Sequence, residues 1–247
     1  MESRRGRRLS SHAGEPPRRA LVVTAHPDDV DFGAAGTVAT WVASGTEVVY
    51  CVVTDGDAGG SDPVVARRDM AEIRRSEQRA AAAELGVTEL RFLGYPDGRL
   101  TASLELRRDL ARTIRELRPQ RVLTHTPVRN LDSVQASHPD HLAVGEATMC
   151  AVYPDARNPF AHPELAGLEP HAVGEVWLMG VPEPNRVLDV TDLLSKKLAA
   201  LRRHSSQLPD PGGPLEAMLR RWMGATASGG GLPEGRLAEA FREVQIL

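Results

Sequence analysis

Arg19-Ala20-Leu21-Val22-Val23-Thr24-Ala25-His26-Pro27-Asp28-Asp29 decides the fold. Its first half is a nearly continuous apolar run of strand length. Such a run, without polar alternation, reads as a strand covered on both faces, the habit of parallel sheets. It ends in one imidazole and two carboxylates, so metal-ligand chemistry lies where the strand hands over to the next element. A related cluster, His138-Pro139-Asp140-His141, follows much later.

Outward from that strand, the elements alternate. Gly33–Ser44 is predicted helical and stopped by Gly45, and Thr46–Thr54 is a β-branched second strand. A glycine-rich loop, Asp55 to Pro63, leads to a long helix, Val64–Leu85, stopped by Gly86. Glu89–Leu93, Ser103–Arg118, Arg121–His125 and His138–Val152 continue as strand, helix, strand and helix. Beyond them, Glu175–Met179 and Arg186–Val190 read as strands, and Asp192–His204 and Leu215–Met223 as helices, while Ala225–Gly235 is expected to be flexible. This order argues for the α/β class: a doubly wound, Rossmann-like, mostly parallel sheet with helices on both faces. In the strand order 3-2-1-4-5 the first and fourth strands are neighbours at the switch point, where ligands bind beyond the carboxyl ends. Both histidine clusters then open on one crevice. Residues 1–18 are expected to be a disordered leader and residues 19–247 a single domain with a less regular C-terminal part.

Composition narrows the function classes. A net charge of −3 over 247 residues gives no electrostatic case for nucleic acid or an anionic membrane. No apolar stretch approaches the roughly 20 residues that span a bilayer, so no membrane anchor is expected. Cys51 and Cys150 make no disulfide framework, and a cytoplasmic location is the expectation.

His26, Asp29 and His141 supply two imidazoles and one carboxylate, the ligand set of an open catalytic zinc site. His138 and His141 are spaced i, i+3 at a helix start and can face the same crevice. Pro139 suits the first helical turn, and Ser137 with Asp140 resembles a capping box. Read singly, the first cluster is also a polar turn and the second a well-capped helix. Together, at neighbouring strand ends, they point to one divalent metal. Such a metal lowers the pKa of a water toward about 7, and a nearby carboxylate can take the proton. Asp28 is placed for that task, and His138 for stabilising an oxyanion and protonating a leaving amine. Asp140 reads as a cap or as an acceptor orienting a histidine. Two rivals stand beside this reading. The same ligands describe a non-haem iron facial triad, against which the α/β order tells. A non-catalytic small-molecule-binding domain is the other; Gly33 and Gly36 lack the spacing of a dinucleotide fingerprint.

The pairing of the two clusters resembles the LmbE-like, or PIG-L, family of zinc-dependent N-deacetylases. The likeness extends through Gly33, Gly36-Thr37, Thr54 to Gly59, Arg74-Arg75-Ser76-Glu77, Leu93 to Gly98 and Lys197 to Gln207. It implies zinc, with ferrous iron the alternative, on His26, Asp29 and His141. It further implies Asp28 as general base, His138 at the oxyanion and leaving group, and Arg74 and Asp97 as substrate contacts. His204 matches a recurrent position without an assigned role. The implied reaction removes an N-acetyl or other acyl group from a small N-acetylglucosamine-type substrate, a free amino sugar or a glycoconjugate. Val30 stands where many members carry Glu, which places the chain in the broader LmbE-like group. His125, His162 and His171 are expected to be loop or structural histidines, and a homo-oligomer is compatible with the sequence.

Overall fold

The computed structural model describes residues 15–60, 64–131, 134–208 and 214–247. Of the expected leader, residues 1–14 lie outside the described residues; beyond them, the carbonyls of Pro17 and Arg18 accept hydrogen bonds from Thr46 Oγ1 and the Glu47 N–H. Five parallel strands carry the fold: β1 (Arg19–Thr24), β2 (Glu47–Thr54), β3 (Glu89–Tyr95), β4 (Arg121–His125) and β5 (Glu175–Met179). They stand in the order β3-β2-β1-β4-β5, as the alternating pattern requires. Two further strands extend the sheet antiparallel: β7 (Ala238–Gln245) pairs with β5, and β6 (Arg186–Asp189) pairs with β7.

Side chains along each parallel strand divide between two cores with a period of two. Ala20 and Val22 face one, packed beneath α1 (Asp29–Ala43), α2 (Arg67–Glu84), α5 (Leu194–Leu201) and α6 (Leu215–Gly229). Leu21 and Val23 face the other, beneath α3 (Leu104–Leu117) and α4 (Pro139–Cys150). Helix α3 shows how sequence sets an element. Ser103 Oγ accepts the Leu106 N–H at 3.2 Å as N-cap, and Leu106, Leu110, Ile114 and Leu117 fall on one buried face. Each such side chain contributes about 1.5–3 kcal/mol relative to exposure. The helix ends at Arg118, because Pro119 cannot extend it.

Three elements differ from expectation. Helix α1 starts four residues early, at Asp29, so the second carboxylate of the first cluster belongs to its first turn. Helix α6 runs on to Gly229 through part of the stretch expected to be flexible, and β7 was not anticipated. The reason for β7 lies far away in sequence. Glu239, buried on that strand, accepts the Gly36 N–H at 3.0 Å, the Thr37 N–H at 2.8 Å and the Thr37 hydroxyl at 2.7 Å. Lys197 Nζ of α5 completes the set at 2.7 Å and also donates to the Phe32 carbonyl. A carboxylate satisfied four times over can sit inside a strand, and it locks α1, α5 and β7 together.

Candidate active site

Beyond β1 the chain turns at Asp28, whose φ of 95° lies in the left-handed region. For a residue with a Cβ that conformation costs on the order of 1–3 kcal/mol, so neighbours must hold it. Gln78 of α2 accepts the Asp28 N–H at 2.7 Å. Arg74, one helical turn earlier, donates to the Pro27 carbonyl at 2.7 Å and to Asp28 Oδ2 at 3.2 Å. The turn parts the two carboxylates. Asp28 faces Arg74, whereas Asp29 reaches across the strand ends and its Oδ2 accepts the His26 N–H at 2.7 Å.

The second cluster arrives from the neighbouring strand, β4. Pro139 occupies the first turn of α4, but the expected capping box does not form. Ser137 Oγ instead accepts the Asn130 N–H at 2.7 Å, and His138 is the N-cap, its Nδ1 accepting the Asp140 N–H at 3.2 Å. A lone pair on Nδ1 puts the proton of neutral His138 on Nε2, which makes that atom a donor. Asp140 turns inward. It accepts the Gly98 N–H at 2.7 Å and the Leu100 N–H at 3.2 Å, and its Oδ2 lies 3.3 Å from His26 Nε2.

These movements place Asp29 against both of the other expected ligands, although the trio is divided between two of the sets whose ligand atoms lie within 4.8 Å of one another. Asp29 stands between two imidazoles, with Oδ1 3.0 Å from His141 Nε2 and Oδ2 3.5 Å from His26 Nδ1. On its far side, His26 Nε2 is held by Asp97 Oδ1 at 3.0 Å as well as by Asp140. Carboxylates on one ring nitrogen fix the orientation of the other. Asp97, expected as a substrate contact, therefore has His26 and the Ala58 N–H as its partners. Arg74 is buried against Asp28 and pairs with neither Glu77 nor Asp97.

Four residues that the sequence left aside also belong to this region. His125 closes β4, lies 3.1 Å from Asp29 Oδ2, and stacks on His141 with ring centroids 4.0 Å apart. Its place as the last residue of a switch-point strand was the signal available. His204, Asp31 and Gln78 form a fully buried chain under the turn. His204 Nε2 meets Asp31 Oδ2 at 2.8 Å, Gln78 Nε2 donates to the same oxygen at 2.9 Å, and Gln78 Oε1 holds Asp28. His162 and His171 keep structural partners, Asp155 and the Pro119 carbonyl.

Charge sorts these groups. Burial opposes a proton on His26, yet Asp29, Asp140 and Asp97 outweigh it and push the imidazole up to about 12. Burial likewise works to raise Asp29, but His141, His125 and His26 hold it well below the usual carboxylate range. Asp28 goes the other way: burial and the Asp29 charge bring it up to about 7, against the pull of Arg74, His204 and His26. Burial, reinforced by neighbouring imidazoles, lowers His138 and takes His125 down to about 4. Adjacent carboxylates pushed apart in this way divide into a permanent anion and a group poised for proton transfer.

The donor set fits a divalent cation. Ligand atoms of His26, His138 and His141 lie within 4.8 Å of one another, as do those of Asp29, His125 and His141 and those of His26, Asp97 and Asp140. Overlapping imidazole and carboxylate groups of this kind suit zinc or ferrous iron better than an all-oxygen cation. Two spaces meet at this cluster. One is an open polar cleft lined by His26, Asp28, Arg74, Asp97, His138 and His141. The other is a largely apolar cavity of about 560 Å³, whose wall includes Asp29, His125 and His141.

Comparison with known proteins accords with this geometry. Residues 21–152 match the PIG-L family, described as GlcNAc-PI de-N-acetylase. The chain is 34% identical to a diacetylchitobiose deacetylase of Thermococcus kodakarensis over 198 residues, covering 78% of this chain and 71% of that one. It is 32% identical over 203 residues to a probable N-acetyl-alpha-D-glucosaminyl L-malate deacetylase 2 of Bacillus anthracis, covering 77% and 81%. Among solved structures, N,N'-diacetylchitobiose deacetylase from Pyrococcus horikoshii, complexed with its inhibitor MPG, superposes with a TM-score of 0.85 at 32% identity, covering 95% of this chain and 87% of that one.

Proposed function

Since the chain belongs to the PIG-L family, we propose that it is a metal-dependent N-deacetylase acting on a small N-acetylglucosamine-type amino sugar or glycoconjugate. The observation that carries this reading is geometric: the turn points Asp28 at Arg74 and Asp29 at His26 and His141, beside three imidazoles whose ligand atoms lie within 4.8 Å of one another. His26, Asp29 and His141 would hold the metal, zinc in our reading with ferrous iron the alternative. When bound, it supplies Lewis-acid polarisation of the amide carbonyl and a nucleophilic water at neutral pH.

The chain's own residues do the rest. Asp28 receives the proton of the attacking water, since a carboxyl raised to about 7 is matched to proton transfer near neutrality. His138 offers Nε2–H to the developing oxyanion, and the proton that Asp28 has taken from the water passes to the leaving amine nitrogen beside it. Asp97 and Asp140 orient His26, and Arg74 steadies Asp28 while facing the cleft where sugar hydroxyls would lie. A cytoplasmic location suits the two unpaired cysteines. Among the described residues no helix is long and apolar enough to cross a membrane.

Elemental analysis of purified protein, followed by amine release from a panel of N-acetyl amino sugars, tests the reading. Chelated protein should be inactive and zinc or ferrous iron should restore it. Metal-loaded protein that frees no amine from any member of the panel would overturn it, as would near-normal turnover in both Asp28→Asn and His138→Ala.

A further inference from the structure

The cavity beside the cluster is too large and too apolar for an acetyl methyl. Its volume is about 560 Å³, whereas a water molecule occupies roughly 30 Å³ of liquid. Phe32, Met179, Val187, Trp222 and Met223 form its sides. Away from the cluster end, the charged groups on its wall are Lys197 and Glu239, which are paired with each other at 2.7 Å. Asp29, His125 and His141 stand at one end, and His141 also lines the polar cleft on the other side. Among the described residues His141 is the one common to the two linings, so an amide held at that imidazole would lie between two unlike spaces. One is lined by Arg74, Asp97 and His138 and suits a hydroxylated amine component; the other suits hydrocarbon.

We propose that this cavity binds the acyl side of the scissile amide, and that the enzyme cleaves medium-chain N-acyl groups, butyryl to octanoyl, as well as acetyl. The inference rests on the amidohydrolase reading above for the reaction, and on the cavity alone for the ligand class. In the reaction, the water oxygen bonds to the acyl carbon and the C–N bond breaks with its electron pair left on nitrogen. That nitrogen takes up the proton released by the water, and a medium-chain carboxylate and the amino sugar depart. Each methylene moved from water into the cavity is expected to tighten binding about fourfold.

Two measurements on the full metal-loaded chain test this. The first compares kcat/KM for N-acetyl-, N-butyryl-, N-hexanoyl- and N-octanoylglucosamine; the longer acyl groups should match or exceed acetyl. In Thr226→Phe, which fills the cavity from α6, the hexanoyl-to-acetyl ratio should fall at least tenfold. A tenfold loss from acetyl to butyryl in the wild-type enzyme would overturn the proposal. The second measurement is calorimetric binding of acetate, hexanoate and octanoate. Octanoate should bind at least tenfold more tightly than acetate, and Thr226→Phe should abolish the difference; equal binding would overturn the proposal. If octanoate binds as expected while no N-acylglucosamine is cleaved, acetyl included, the cavity's ligand class stands and the amidohydrolase reading fails.

Discussion

Asp28 spends stability on geometry. Its left-handed backbone and buried carboxylate are both unfavourable in the folded chain, and neither is relieved by a side-chain cap on α1. Asn adopts the left-handed region more readily and carries no charge. Asp28→Asn should therefore lower kcat by at least a hundredfold and leave the thermal midpoint unchanged or higher. Calorimetry beside an amine-release assay checks both halves; a lowered midpoint would mean that the carboxylate is structural. Arg74 gives a pH test. Its charge pulls the Asp28 pKa down, so removing it lets that pKa rise. A carboxylate base is inactive when protonated, so the ascending limb of kcat/KM against pH should move to higher pH in Arg74→Met. An unmoved or lowered limb would show that the two groups do not communicate in the working enzyme. That residues 26, 28, 29, 138 and 141 lie together was legible, because their chemistry is uncommon at neighbouring strand ends. His125 was not, since a single imidazole at the end of an apolar strand carries no local mark of its partners.

At the level of elements, helix α2 serves as a backing plate for the turn. Met70, Arg74, Gln78 and Ala82 recur at helical spacing and are buried, yet two of the four are polar. Hydrophobic periodicity finds the helix and misreads its inner face, because Gln78 earns burial only through Asp28 and Asp31, which are distant in sequence. Replacing Gln78 with Leu removes an acceptor from the strained turn and a donor from Asp31. Turnover should drop by tenfold or more with KM little changed and metal content kept. His204→Phe should behave alike, and His204→Gln should recover part of the loss by returning a donor near Asp31 Oδ2. Steady-state kinetics with metal analysis would expose a purely structural role, in which all three variants lose metal together. Strand β7 escaped sequence reading for a related reason. Glu239, Arg242 and Glu243 break its apolar pattern, and only the lysine of α5 makes the buried glutamate tolerable.

The whole molecule is closed by that Lys197–Glu239 pair, which is almost completely buried on both sides. Breaking a buried pair from one side leaves an uncompensated charge and costs about 3–5 kcal/mol. Lys197→Met should destabilise by that amount in denaturant unfolding, and Lys197→Met with Glu239→Gln by less than the sum of the single changes. Additive losses would show that the pair is not coupled. The parallel core order was readable across the whole chain from alternation alone, but the antiparallel extension depends on contacts between residues some 200 positions apart, such as Gly36 and Glu239. One consequence concerns how such a protein can diversify. The candidate cation cluster draws, among the described residues, on residues 26 to 141, while the far walls of the apolar cavity come from residues 179 to 240. On the proposed function, selection can therefore redraw the cavity without disturbing the hydrolytic residues, provided that Lys197 and Glu239 change together and His204 keeps its place beneath Asp31. A chimaera carrying a relative's segment from Met179 onward should inherit that relative's acyl preference and keep this chain's chemistry.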